Sequence, residues 1–368
     1  MGTYDLSGRL SVGFGDDAHL VRLLADRMDP FRPAPVRERP PDVTLEPAAI
    51  ARPELVEIQN PARDGTATAS DGAQLLVLAD GRACTLPDPT SERPARFRYE
   101  AGFPLERIFA RVVRPALQLA LPAHDAVAVH AAAVELDGRA VLVAGWSESG
   151  KTETALALME SGARFLSDKW TVLGADGEAS AFPIDVGIRR WVLPYLATLE
   201  PALPAAARAR LAVAGVAAAA SRPLRARRSR AAALAERAVG AADRAALTPS
   251  RLRAAYGQHD DPARRVPLAA TAVLVTTPGP PIACEPADPA WAATRLARSA
   301  AYERRELFGL FERRRYVLPS ATTVSATDSV AAETALLEQA LSRGRTFAVR
   351  APFPVDPRVV AAEIRRRL

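Results

Sequence analysis

The residues from Gly145 to Thr152, read in order as Gly-Trp-Ser-Glu-Ser-Gly-Lys-Thr, match the pattern G-x-x-x-x-G-K-[ST] at every fixed position. Gly145 and Gly150 permit backbone angles that aim successive N–H groups inward at phosphate oxygens. A helix starting where the loop ends adds the partial positive charge of its N-terminus. Lys151 supplies a mobile point charge for the β and γ phosphates. Thr152 offers a hydroxyl to Mg2+. Trp146, Ser147, Glu148 and Ser149 fill the loop and contribute mainly backbone N–H groups. The Glu148 carboxylate, so close to phosphate, is expected to turn to solvent. The chemistry is that of a nucleoside triphosphate held with Mg2+.

Two further residues belong with this loop. Asp168, in RFLSDKW, follows Thr152 by sixteen residues, a spacing that suits strand–helix–strand geometry. A carboxylate there can reach Mg2+ or an attacking hydroxyl. His130 precedes Gly145 by fifteen residues, on the strand before the loop strand, which brings it beside the loop in a sheet. Taken alone, a histidine on a strand is most simply a satisfied core residue.

The elements that must position these groups follow from periodicity. The apolar runs Ala126–Leu136 and Ala140–Ala144 flank Asp137-Gly138, a two-residue hairpin signal. The second run leads into the loop, and Glu153–Ser161 continues as a helix with Gly162 as its C-terminal glycine. Arg164–Ser167 and Thr171–Leu173 read as one strand around Asp168. This strand, loop, helix, strand order starts an α/β nucleotide-binding core, the context the motif requires. Upstream, Leu105–Leu121 has helical spacing and stops at Pro122. Residues 1–100 read as a mixed, strand-rich N-terminal domain, with strands over Leu10–Phe14, Gln74–Ala79 and Phe97–Tyr99. It also holds a helix near Ala18–Met28 and a proline-rich loop over Pro30–Pro41. Residues 101–368 form the nucleotide-binding domain, interrupted over about 201–265 by an Ala/Arg-rich insertion. Within it Ala205–Ala220 and Ala231–Ala246 read as helices around the arginine-dense turn Arg222–Arg230. Thr271–Thr277 and Phe347–Arg350 read as strands, Ala292–Arg305 and Pro357–Leu368 as helices.

With these motifs in place, the stretch from His130 to Leu173 resembles the HPr kinase/phosphorylase family, which shares the phosphoenolpyruvate carboxykinase fold. Members show a His, a strand, G-x-S-G-x-G-K-S-E, a helix ended by Gly, and a strand ending in Asp-Asp. His130, Gly145, Ser147, Gly150, Lys151, Thr152, Glu153, Gly162 and Asp168 fall at matching places. The resemblance implies ATP-dependent phosphorylation of a hydroxyl, with Asp168 taking its proton and His130 at the phosphate site. It also implies a homo-oligomer. Two positions depart from the pattern. Glu148 stands where the family has Gly, and Lys169 where it has the second Asp. Lysine there removes a metal contact and adds positive charge. That points to weakened metal binding, a divergent acceptor, or nucleotide binding without transfer. Further along, Asp185, Arg189 and Arg190 are candidates for the acceptor side, with Arg304, Arg305 and Arg313–Arg315 as later ones.

Composition bounds the alternatives. The chain has 368 residues and a formal charge of +6, dominated by arginine in an alanine-rich background that GC-rich codons would produce whatever the function. The basic insertion alone motivates a nucleic-acid-dependent ATPase. Aromatic residues are nearly absent from it, which argues against a base-stacking surface, so nucleic acid is not the expected partner. Apolar runs fall short of the roughly 18–20 residues a membrane helix needs, and the first residues lack a signal-peptide pattern. Two cysteines, Cys84 and Cys284, stand 200 positions apart, which suits isolated thiols in a reducing cytoplasm. The acceptor is expected to be a serine of a peptide or protein, alternatively a small-molecule hydroxyl.

Overall fold

A computed structural model gives the structure of the chain and describes residues 2–35, 40–50, 55–59, 65–69, 72–225, 243–279 and 281–368. The chain folds as a mixed α/β protein with large sheets and several helices. Part of the Pro30–Pro41 loop, most of Arg222–Arg230 and the first part of the helix expected over Ala231–Ala246 lie outside the described residues. Among the described residues no helix is long and apolar enough to cross a membrane.

The first sheet is built from β1 Gly2–Leu6, β2 Leu10–Phe14, β3 Pro33–Ala34, β4 Val43–Pro47, β5 Leu55–Gln59, β6 Gly65–Ala69, β7 Gln74–Val77, β8 Ala83–Thr85 and β9 Ala95–Tyr99. Their spatial order is β3-β1-β2-β4-β9-β8-β7-β6-β5. The Ala18–Arg27 helix packs Leu20, Leu23 and Leu24 inward and is capped by Asp17, which accepts from the His19 and Leu20 amides. Leu45 and Phe97 of this sheet share one apolar cluster with Phe109, Leu117 and Phe308.

The second sheet carries the Gly145–Thr152 loop. It contains β10 Ala126–Val129, β11 Ala131–Leu136, β12 Arg139–Gly145, β13 Arg164–Ser167, β14 Thr171–Gly174, β15 Glu178–Ala181, β18 Val266–Thr276, β19 Ala283–Pro286 and β20 Arg345–Ala351. The path runs β10-β14-β15-β18-β12-β11-β13, with β20 beside β18 and β19 beside β20. β12, β18 and β20 are mutually parallel neighbours, Gly145 opposite Leu274. Alternation along β12 gives the sheet two covered faces, as a period of two requires. Val141 and Val143 pack with Leu156 and Met159 of the Lys151–Glu160 helix. Ala140, Leu142 and Ala144 pack on the opposite side with Leu296 and Leu337, from the Pro289–Glu303 and Ala326–Leu341 helices.

Four expectations are revised here. Arg164–Leu173 is not one strand. Lys169 has φ +57, and this left-handed residue turns the chain so that β13 pairs with β11 while β14 pairs with β10. The preceding chain breaks at the same level, at His130 between β10 and β11. The Leu105–Leu121 helix forms, but through three registers: Leu105–Ile108, a π-helical turn Phe109–Val113, and Arg114–Ala120. It also runs past Pro122 into a 3-10 turn ending at His124, because proline in a first turn loses no hydrogen bond. Finally, the insertion is not all helical. Residues 244–247 form strand β17 (Arg244–Leu247), paired with β16 (Val186–Arg189), and Pro249–Ala255 is a helix. Ala245 and Leu247 are buried, so alternating apolar residues satisfy a partner strand that local helix propensity could not reveal.

Candidate functional site

At the carboxyl end of β12 the chain enters the loop through Gly145, with φ +148. A side chain there would put its Cβ 2.6 Å from Ser149 Oγ and 2.8 Å from the Leu274 carbonyl. Gly150, at φ +95, is the N-cap of the Lys151–Glu160 helix and leaves its first-turn amides without a side-chain cap. Those amides face the loop, a ready anion site. Glu148 adopts φ +62. It is a non-glycine residue in the left-handed region, at the position where the resembled family has glycine, and such strain collects at functional sites.

Lys151 is 7% exposed, and its Nζ donates to the carbonyls of Gly145 at 3.1 Å and Trp146 at 2.7 Å. Burial lowers its pKa to about 8, against the pull of Asp168. Thr152 Oγ1 donates to Asp168, with Oδ1 at 2.8 Å and Oδ2 at 3.1 Å. Asp168 is buried, and burial raises its pKa to about 6 against the lowering effect of the Thr152 hydrogen bond. The turn carrying it is pinned by Ser167, whose Oγ donates to the Trp170 carbonyl and accepts from the Phe182 amide. Two sequence candidates sixteen residues apart thus meet directly.

His130 is buried in the break between β10 and β11, its Nδ1 3.0 Å from Ser299 Oγ and its ring 5.3 Å from that of Trp170. Burial first, then Lys151, Lys169 and Arg304, lower its pKa to about 2. Its imidazole is therefore neutral. Buried Glu153 shifts the other way, its pKa raised by desolvation.

These groups open into a cleft of about 430 Å³, lined by His130, Ser147 to Glu153, Asp168 and Lys169. Asp185, Arg189, Arg244, Glu303 and Phe353 line it as well. The site candidates fall as follows. Asp185 and Arg189 reach the cleft, whereas Arg190 turns away to pair with Asp243 at 2.7 Å. Glu148 is mostly exposed as expected, yet its carboxylate is paired with the Arg189 guanidinium. The Trp146 side chain leaves the loop and stacks on Tyr302 at 4.9 Å. Arg304 is fully buried against Glu333, Gln118, Ser329 and the Ala128 carbonyl. It is a structural residue.

Arg244, Glu303, Ser299 and Phe353 were not legible as site residues. Lys169 had a signal of its own. Of 48 Lys and Arg residues in the chain, the lysines are Lys151 and Lys169 alone, and both line this cleft. At both positions the basic group is a compact ammonium, which differs in effect from the planar guanidinium found at every other basic position. The cleft walls crowd the Lys169 ammonium and lower its pKa, while the Glu303 charge opposes the shift.

Three features bear on whether a magnesium nucleotide fits. The Ser149 hydroxyl is buried in the loop without a hydrogen-bond partner. A Cβ at Gly145 or Gly150 would crowd the loop or Phe353. The Thr152 hydroxyl and Asp168 carboxylate form the hard-oxygen pair that Mg2+ takes from protein, keeping phosphate and water for its other positions. Among the described residues no three His, Cys, Asp or Glu side chains converge on one point, and such a cation needs no cage. The donor set fits. No family model matches the sequence, and no curated protein matches it either.

Proposed function

We propose that the protein is an ATP-dependent phosphotransferase of the HPr kinase/phosphorylase type, moving the γ-phosphate to a hydroxyl, a peptide or protein serine by preference. The observation that carries this reading is the direct contact of Thr152 with Asp168 at the mouth of an uncapped glycine loop. Mg2+ and ATP, when bound, supply the transferable phosphoryl group and a cation to screen its charge. Thr152 and Asp168 would hold the cation, and the loop amides with Lys151 the phosphates. Asp168 would also take the acceptor proton as the hydroxyl oxygen bonds to the γ-phosphorus and the bond from that phosphorus to the bridging oxygen breaks, with ADP leaving. Positioning and charge neutralisation supply most of the rate in such transfers. His130, being neutral, contributes as a hydrogen-bonding group and not as a cation.

A second reading, nucleotide binding without transfer, has Lys169 in its favour, since a cation replaces the carboxylate expected there. One experiment separates the two. Wild type, Lys151→Ala and Asp168→Asn are incubated with γ-labelled ATP, Mg2+ and serine-containing acceptors. Label on an acceptor with wild type alone supports transfer. ATP binding with no label moved by any protein supports the second reading.

A further inference from the structure

The cleft does not end at Lys169. A second cavity of about 230 Å³ shares Lys169 and Glu303 with it and continues past Arg114, Arg111, Arg305 and Glu306. A third, of about 380 Å³, shares Arg111, Arg305 and Glu306 with the second. It ends on the first sheet against Leu78, Phe103, Ile108 and Leu310, with Arg107 and Arg313 at its rim. Joined by these shared residues, the three cavities adjoin in a row, or groove, from the Gly145–Thr152 loop to the first sheet. Beyond the cleft its walls carry six cationic side chains against two carboxylates.

Three features mark this groove as built for a ligand. The Arg114 guanidinium has its Nε buried without a hydrogen-bond partner, and burial lowers its pKa to about 10. A buried donor on a charged group is costly until an anion meets it. The wall between the second and third cavities is the π-helical turn Phe109–Val113, a distortion that recurs at functional sites. The charges that do pair are weakly held. Arg111 and Glu306 lie 3.6 Å apart with more than half of each side chain exposed, a pair worth little in water.

We infer that this groove receives an acidic, extended segment of the acceptor. Carboxylates flanking the phosphorylated hydroxyl would meet Arg114, Arg111 and Arg305, and an apolar side chain beyond them would enter the Leu78–Phe103–Leu310 end. The inference rests on the peptide or protein acceptor proposed above. It explains what Lys169 does at the joint of the first two cavities, where it favours an incoming anion in place of a metal.

The test measures binding without requiring transfer. Fluorescein-labelled peptides with one serine, flanked on either side by Asp, Glu and a Leu, are titrated against the full chain by fluorescence anisotropy. Matched neutral and Lys-flanked peptides serve as comparisons. The acidic peptide is expected to bind wild type at least about tenfold tighter than the neutral one. Arg111→Glu with Arg305→Glu, both exposed positions, should erase that preference while ATP affinity stays unchanged. Arg111→Gln with Arg305→Gln should give an intermediate loss. Equal binding of acidic and neutral peptides, or an unaltered preference in the double variant, overturns the inference. An acidic preference with no phosphate transferred sustains the groove and removes the kinase reading. Transfer to hydroxyls with no acidic preference does the reverse.

Discussion

The wall of the cleft is made in two ways. The loop wall comes mostly from one short stretch, Ser147 to Lys169, and is held by local contacts. Lys151 folds back on two loop carbonyls, and Thr152 bonds Asp168. The remaining wall is gathered from four separate places: Asp185 and Arg189 around β16, Arg244 on β17, Glu303 at a helix end, and Phe353 after β20. Its two arginines rest on a two-stranded ribbon apart from the main sheet, and Arg189 ties it to Glu148 of the loop. In the function proposed, a wall built locally would suit gripping phosphate. A wall assembled from distant segments can change residue by residue, which would suit acceptor selection.

If this division holds, substitutions on the loop wall act on the chemical step and those on the remaining wall on acceptor affinity. Lys151→Ala should have the largest effect, a fall in kcat of at least about 100-fold from one lost charge stabiliser, read by steady-state transfer. Asp168→Asn should follow with a loss of about 100-fold or more, and it carries a stability signature. Burial raises the folded pKa of this acid, so its ionised form disfavours the fold. The penalty is absent below about pH 4 and complete above about pH 6. Asn, which can still accept the Thr152 hydroxyl, should therefore raise Tm at pH 8 and leave it unchanged at pH 3.5. A fall in Tm at pH 8 would show that the carboxylate is structural.

Arg244→Ala should act more gently, raising the acceptor KM by about tenfold with kcat and ATP affinity near wild type. A kcat loss as deep as that of Lys151→Ala would erase the distinction between the walls. The smallest effect concerns His130. Its folded pKa lies far below that of the unfolded chain, so unfolding takes up a proton at acid pH. Stability is kept above about pH 6.5 and is lost as pH falls. Between pH 7 and pH 5.5, wild type should lose about 1 kcal/mol relative to His130→Asn, measured by urea unfolding at each pH. An equal loss in both proteins would mean that His130 is protonated in the fold.

What was legible in the sequence follows the same division. The loop, its helix, the Asp137-Gly138 hairpin and Asp168 are local patterns, and each formed. The hairpin closes with Asp137 at φ +49 and Gly138 at φ +76, the signs a type I′ turn requires. The strand break at Asp168 was hidden because β13 and β14 are both apolar and only their partners differ. β17 was hidden in an Ala/Arg background that reads as helix, and its strand character comes from pairing with β16, 61 positions earlier at the Val186–Leu247 end. The π-helical turn leaves no mark in the spacing of apolar residues. The rarity of lysine was visible in the sequence, and both lysines line the cleft.

The most direct measurement is intact-mass analysis of a serine peptide incubated with the full chain, Mg2+ and ATP, in parallel with Asp168→Asn. The account predicts a time-dependent gain of one phosphate on the peptide with wild type and none with the variant. Phosphate gained equally with both proteins would contradict the role given to Asp168. ATP bound with no phosphate gained by any acceptor would contradict the assignment as a phosphotransferase.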